Sequence, residues 1–316
     1  MRKRGIVIHP EELTEQMIET LGHTDLNVLG LHPVGGPGAE KSLEEFLEVF
    51  GSAGFQEKVG RIREMGMQIE FEVHALSWML PRELYESHPE WFREDREGKR
   101  THDFNMCASN QEALEYLSVR AAELATALKP DTGRYYFWID DIEDSFCHCE
   151  KCRRISPSDQ ALILYHAILD GIRQVDREAK QCYLAYLETM EVPTIAPREG
   201  IFLEYAPMYR DPHRPMNDEA CEKNRQYHKS IRPLLAYFGK KDSQVLDYWL
   251  DNSLLSEWKK PPKEIHINEE AIREDIGFYE ECGFEGVTTF GCYLSDDYIA
   301  LHGRPPIEAY AGCFGA

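Results

Sequence analysis

The 316-residue sequence predicts a (β/α)8 barrel, on three observations. Eight short apolar stretches alternate with longer amphipathic ones, the pattern of parallel strands joined by helical crossovers. Eight such units in roughly 300 residues match the size of a closed barrel better than an open doubly wound sheet. No G-x-G-x-x-G turn follows an early strand, which lowers the dinucleotide-binding alternative. No Gly/Ser/Pro linker is long enough to separate domains, so residues 1–316 read as a single domain.

The elements follow in order. The first strand, 6–9, carries Ile6-Val7-Ile8 and ends His9-Pro10-Glu11. The second, 27–32, ends His32-Pro33, and helical patterns at 42–50 and 56–65 lead to the third, 68–74. There Glu72 and His74 share a face by two-residue alternation. A helical pattern at 111–128 precedes the fourth strand, 135–140, whose run Tyr135-Tyr136-Phe137-Trp138-Ile139 suits a buried strand. A pattern at 159–175 precedes the fifth, 182–187, which contains Tyr186 and is followed by Glu188; the sixth, 201–206, carries Glu204-Tyr205. The helical stretch 220–237 leads to the seventh, 244–250, with Asp247-Tyr248-Trp249 and then Asp251. Asn268-Glu269-Glu270-Ala271 puts a cap residue and two acids on the first turn of a helix over 268–282, where acids suit the helix dipole. The last strand, 287–290, ends at Phe290, close to Tyr293.

Charge and composition exclude several functions. With 42% hydrophobic residues the chain can bury a sizeable core. Its 35 Lys and Arg against 56 Asp and Glu leave a net charge of −21. A field of that sign repels phosphate backbones and anionic lipid, so neither a nucleic acid nor a membrane is an expected partner. No stretch approaches the ~18 apolar residues of a spanning helix, and the basic start Met1-Arg2-Lys3-Arg4 has no signal-peptide apolar core behind it. A reducing cytoplasm is the expected location. Nine cysteines, an odd count, then read as free thiols and metal ligands rather than a disulfide framework. The reading is compatible with a homo-oligomer.

Barrel enzymes build their sites at the carboxyl ends of the strands. Here nearly every strand end carries a polar or aromatic group. Carboxylates together with Trp and Tyr suit a carbohydrate, since ring faces stack on sugar C–H surfaces while acids bond hydroxyls. Glycosidic cleavage needs a proton donor and a group that stabilises an oxocarbenium-like centre, normally two carboxylic acids. Asp140-Asp141, at the end of the fourth strand, is the strongest candidate pair. Alternation puts Asp140 in phase with Tyr136 and Trp138, so both acids reach the site only if the strand ends or bulges there. Asp141 also opens the acidic run Asp141-Ile142-Glu143-Asp144, which a solvated loop would equally carry. Glu188, Glu204 and Asp247 are alternatives for the second acid, and Glu72, His74, Trp138, Tyr186, Tyr205, Trp249 and Tyr293 are expected to line the cleft. Two rivals stand beside hydrolysis by acids. One is a barrel that binds carbohydrate without cutting it; the other is a metal-dependent hydrolase in which His9, His32, His74 and a carboxylate converge on one ion.

Directly after the acids comes Cys147-His148-Cys149-Glu150-Lys151-Cys152. C-x-C-x2-C spacing can set several sulfurs around one tetrahedral ion, with His148 or a remote thiol as fourth ligand, and Cys107 is the preferred donor. A structural zinc held by Cys107, Cys147, Cys149 and Cys152 would fix the loop after the acids. Three free cysteines packing that loop is the plain alternative. Acid catalysis itself requires no cofactor.

Specific wording in the chain resembles a known family. The segments are His88-Pro89-Glu90-Trp91-Phe92, Gly98-Lys99-Arg100, Phe104-Asn105-Met106-Cys107-Ala108-Ser109-Asn110, Trp138-Ile139-Asp140-Asp141 and the cysteine run, with Ser158-Asp159-Gln160, Leu184-Ala185-Tyr186 and Leu203-Glu204-Tyr205-Ala206-Pro207 further on. Over about residues 65–295 the chain resembles the bacterial domain-of-unknown-function family 4838. The resemblance implies a glycoside hydrolase-like TIM barrel related to glycoside hydrolase family 163, which acts on β-linked N-acetylglucosamine in N-glycans. It implies a β-N-acetylhexosaminidase-like enzyme in which Asp140 orients a substrate acetamido group acting as internal nucleophile and Asp141 protonates the leaving oxygen. The chain departs from the family in carrying Asp140 where many relatives have Asn, and in lacking the extra domains of larger members.

Overall fold

The computed structural model describes residues 1–315. Eight parallel strands close in the order β1 to β8 with helices between them, the (β/α)8 barrel predicted from sequence. They are β1 (Lys3–Ile8), β2 (Val28–Leu31), β3 (Gln68–His74), β4 (Arg134–Trp138), β5 (Lys180–Ala185), β6 (Ile201–Tyr205), β7 (Gln244–Asp247) and β8 (Gly286–Phe290). Each apolar stretch read from the sequence carries a strand, but three end two or three residues early, where a side chain takes a backbone N–H just past the strand. After β4, Asn105 Oδ1 accepts the Asp140 N–H at 3.0 Å. After β5, Thr189 Oγ1 accepts the Tyr186 N–H at 3.0 Å. At the end of β7, Asp247 accepts the N–H of Tyr248 at 2.7 Å.

The predicted helices form at Ala39–Phe50, Ala53–Glu64, Gln111–Ala127, Pro157–Val175, Glu222–Phe238 and Glu269–Cys282, joined by one at Glu15–Gly22. Asn110, Ser156 and Asn268 cap three of them, accepting backbone N–H groups at 3.0, 3.0 and 3.3 Å. Among the described residues no helix is long and apolar enough to cross a membrane.

The chain forms two compact units. One comprises Pro33–Gly51 and Glu70–Phe202. Alternation sorts its β3 residues: Phe71 packs on Phe46 and Phe50 of the Ala39–Phe50 helix, at 6.2 and 5.1 Å between rings, so Glu70, Glu72 and His74 turn to the barrel interior. Glu70 is fully buried and held by Thr132 Oγ1 at 2.7 Å and by Arg134 at 3.1 Å, which offsets its desolvation. The helices Gln111–Ala127 and Pro157–Val175 meet at Gly171, where a Cβ would lie 1.9 Å from the Ser118 carbonyl oxygen. Only glycine allows that approach.

The other unit comprises Met1–His32, Ser52–Ile69 and the chain from Leu203 onward. Here β1 lies between β2 and β8, with Ile6 opposite Leu29 on one side and Thr289 on the other. Inside the barrel, Lys3 Nζ bonds Gln244, whose amide donates to Glu204 at 2.5 Å. On the outer face of β7, Arg210 sits fully buried between Asp247 at 2.9 Å and Asp275 at 2.5 Å. Tyr279 donates its hydroxyl to Asp247 at 2.8 Å and Trp249 its indole N–H to Asp275 at 3.1 Å. A buried guanidinium is tolerated because two hydrogen-bonded carboxylates surround it.

Candidate active site

The candidate site is built by the ends of β3, β4 and β5. His74 closes β3, and its Nδ1 lies 2.7 Å from the carbonyl of Ile139, which fixes Nδ1 as the protonated nitrogen and sets the ring plane. The ring packs on Trp138, the last residue of β4, at 4.9 Å. Beyond Trp138 the chain leaves the ladder, so Asp140 and Asp141 are freed from strict alternation.

The two acids then part company. Asp140 is 7% exposed and its carboxylate accepts from Ser77 N at 3.1 Å, Ser77 Oγ at 2.8 Å, Asn105 N at 2.6 Å and Arg82 at 3.4 Å. Its own N–H donates to Asn105 Oδ1 at 3.0 Å. Four donors around one side chain match a carboxylate, which only accepts. Asp141 is half-exposed and lies, like His74, against Gly35: a Cβ on Gly35 would stand 2.8 Å from His74 Cδ2 and 3.4 Å from Asp141 Oδ2. Glycine at position 35 therefore lets the loop after β2 run directly over the histidine and the second acid.

A small pocket opens beside them, lined by His74, Asp140, Ile142, Phe146, Tyr186 and Glu188 among others. Glu188 accepts the N–H of Asp144 at 2.7 Å, tying the loop after β5 to the loop after β4. Of the residues picked from sequence, His74, Asp140, Tyr186 and Glu188 line this pocket. Asp141 stands, with His74, against Gly35, and the Trp138 ring packs on the histidine.

The other picks lie elsewhere. Glu72 points inward but sits one layer deeper than His74, with no exposure. Glu204, Tyr205, Asp247 and Trp249 need correction as cleft residues. Glu204 is buried at the level of Gln244 and Lys3, the amino ends of β7 and β1. Tyr205 turns outward, its hydroxyl 2.7 Å from the Tyr227 carbonyl of the Glu222–Phe238 helix. Asp247 and Trp249 also turn outward, into the Arg210 cluster. Depth removes Glu204 from the cleft, whereas strand phase removes the other three: Glu204 takes the inner face of β6, and Leu246 and Tyr248 that of β7, so Tyr205, Asp247 and Trp249 turn outward.

At the ends of β1, β7 and β8 a second group assembles. His9 stacks on His32 at 5.7 Å, Phe290 meets both His32 and Tyr248, and Tyr293 lies 6.1 Å from His9. Beneath them Glu12, which the sequence reading missed, is 4% exposed and accepts from Leu294 N at 3.0 Å and His9 N at 3.3 Å. Burial pushes its carboxyl up to about 7, against the pull of His9. Burial also raises Asp251, against its bonds from Ser253 and Leu254 N. The signal for Glu12 was local: His9, Pro10 and an acid three residues on spell a capped turn. Likewise missed were Ser77, Arg82 and Asn105, which hold Asp140.

Two groups have metal-ligand spacing among the described residues: Cys107 with Cys147, Cys149 and Cys152, and His9 with Glu12 and Cys292. Neither joins one strand-end histidine to another, so the expected convergence of His9, His32 and His74 on one ion has no counterpart among them.

The sequence matches the family described as "Domain of unknown function (DUF4838)" over residues 52–291. No curated protein matches it in sequence. In fold it is similar to the O-GlcNAc hydrolase of Thermobaculum terrenum, at 11% identity and a TM-score of 0.58, covering 100% of this chain and 59% of that one. It is similar to the GH20 catalytic modules of the pneumococcal exo-β-D-N-acetylglucosaminidase, at 12% identity and 0.51, covering 99% and 84%. It is also similar to the β-galactosidase of the psychrophilic Marinomonas ef1, at 11% identity and 0.50, covering 91% and 53%. The chain thus spans little more than half the length of the first and third of these proteins. What it shares with these glycoside hydrolases of several families is the barrel.

Proposed function

This chain belongs to the DUF4838 family, and we propose that it is a glycoside hydrolase cleaving a β-linked sugar, with an N-acetylated amino sugar as the preferred class. The observation that carries the proposal is the contrast between two adjacent acids at the end of β4. Asp140 is locked by four donors and lines the pocket, while Asp141 is half-exposed beside His74.

In this reading Asp141 is the general acid. It protonates the glycosidic oxygen as the bond to the anomeric carbon breaks, so that the leaving group departs as an alcohol. Asp140 supplies a fixed negative charge toward the oxocarbenium-like centre and accepts the N–H of a substrate acetamido group, whose carbonyl oxygen attacks the anomeric carbon. A fixed carboxylate suits this task because it need not reorganise during the reaction. Tyr186 offers a ring face and Glu188 an acceptor for sugar hydroxyls. The amino-sugar preference draws support from two fold neighbours named for N-acetylglucosamine substrates.

The test is a panel of 4-nitrophenyl β-glycosides and free N-glycan fragments, with wild type and Asp141→Asn. Wild type should turn over the N-acetylglucosaminide. The variant should keep its melting temperature and KM while kcat falls by ~100-fold or more on oligosaccharides. The loss should be smaller on nitrophenyl substrates, whose leaving group needs little help from a proton. An equal loss on both, or none, removes Asp141 as the acid. Saturable sugar binding with no turnover makes the barrel a carbohydrate binder instead.

A further inference from the structure

We propose that Cys107, Cys147, Cys149 and Cys152 hold one zinc ion that clamps the loops after β3 and β4 together. All four residues are buried, and their sulfurs lie within 4.8 Å of one another. Cys107 Sγ stands 3.7 Å from Cys149 Sγ and 3.9 Å from Cys152 Sγ. A disulfide needs about 2.05 Å. A tetrahedron with Zn–S bonds of about 2.3 Å has edges of about 3.8 Å. Two of the six edges thus match a zinc tetrahedron, the other four are no longer than 4.8 Å, and neither measured pair is a disulfide.

The surroundings suit thiolates. Backbone N–H of Glu94 points at Cys147 Sγ at 3.3 Å, and Arg100 reaches the same sulfur at 3.9 Å. Ser109 Oγ lies 3.3 Å from Cys107 Sγ and 3.6 Å from Cys149 Sγ. Donors aimed at sulfur and a guanidinium beside the cluster offset the charge that four thiolates leave around a divalent ion. Four buried neutral thiols would gain little from such neighbours, because sulfur is a weak acceptor. His148, the alternative fourth ligand, is half-exposed and turned toward Asp144 at 4.0 Å. A closed set of four sulfurs leaves no open position for substrate, so the ion is structural.

The ligands come from two loops, and the backbone is prepared to bring them together. Cys107 N–H bonds the Trp91 carbonyl at 2.9 Å, and His148 N–H bonds the Glu94 carbonyl at 2.7 Å. Gln160 braces the cysteine run from below: its amide donates to the carbonyls of Cys147 at 3.1 Å and Cys152 at 3.3 Å and accepts the Cys147 N–H at 3.1 Å. Asn105, two residues before Cys107, holds Asp140 from both sides and also bonds Ser145 at 2.6 Å. The ion therefore secures the framework that orients the first acid. That last consequence rests on the glycosidase reading, whereas the ion itself does not.

The experiment uses the full chain purified under reducing conditions without added metal. Mass-spectrometric elemental analysis should give one zinc per chain. Exchange for Co(II) should give the intense visible absorption of a tetrahedral thiolate complex, which no unbound or oxygen-ligated cobalt shows. Cys152→Ser should lower zinc affinity by at least ~100-fold, while Cys182→Ser, a buried cysteine of β5, should leave it unchanged. Should the ligand variant fail to fold, the wild-type stoichiometry and cobalt spectrum decide alone. Metal-free, folded protein with no cobalt spectrum overturns the site, and bound iron overturns the identity of the ion. A zinc-loaded protein without glycosidase activity would sink the catalytic reading and leave the metal site standing.

Discussion

Replacing Glu12 by Gln should make the protein more stable at alkaline pH and nearly unchanged at acidic pH. Glu12 sits in the capped turn after β1 with its carboxyl pushed up to about 7 by burial. The unfolded chain would return it to about 4.3. A raised acid binds its proton more tightly when folded, so stability is full below the unfolded value and falls as pH rises through the folded one. A shift of between two and three pH units corresponds to roughly 3 kcal/mol. For a chain of this size that is about 4–5 °C in melting temperature. Gln mimics the protonated group and removes the loss. The assay is thermal unfolding by circular dichroism of wild type and Glu12→Gln at pH 5 and pH 8. The gap between the two proteins should widen by about 2–3 kcal/mol in favour of the variant between those pH values. A gap that stays constant would show that Glu12 is ionised in the folded state throughout, and the argument from burial would be wrong.

Two further perturbations address the rest of the framework. Gly35→Ala places a methyl group 2.8 Å from His74 Cδ2 and 3.4 Å from Asp141 Oδ2; hydrolysis should drop by ~10-fold or more while the melting temperature moves little, and unchanged kinetics would show that neither group is held where catalysis needs it. Arg210→Met strips both Asp247 and Asp275 of their buried counter-charge, so chemical denaturation at pH 8 should report a loss of about 3–5 kcal/mol, with part of it recovered near pH 4 as Asp275, whose carboxyl burial pushes up to about 6, takes up a proton; a loss equal at both pH values would refute the ionic account.

The strands were legible because a barrel strand buried on both faces writes a continuous apolar run, as Tyr135 to Trp138 does. Where each strand stopped was not, since that depends on which side chain takes the next backbone N–H: a residue 35 positions away, Asn105, in the case of Asp140, and near neighbours in the cases of Tyr186 and Tyr248. Asp247, Trp249 and Tyr205 show a second kind of failure. They were chosen because they sit at strand ends, but strand phase turns them toward the helices, and the inward neighbour Tyr248 was already readable from the sequence by counting in twos. The clustering of the four cysteines was legible to the residue: three of the thiols share one short loop, where spacing implies proximity. Arg210 was not. Its partners lie on β7 and on the Glu269–Cys282 helix, and nothing in their spacing announces a buried ion pair.

The pairing of β1 with β8 also sets a schedule for the chain's assembly. Lys3 and its partner Gly286 are roughly 280 residues apart, and at about 5–20 residues per second a ribosome needs on the order of 15–60 s to make what lies between. Until β8 exists the first strand can pair only with β2, and its other edge is bare, the kind of edge that recruits the wrong strand when another chain is near. A contact between strands this far apart in sequence is slow to form, so speed of folding is traded for a topology in which no barrel strand is left at a margin.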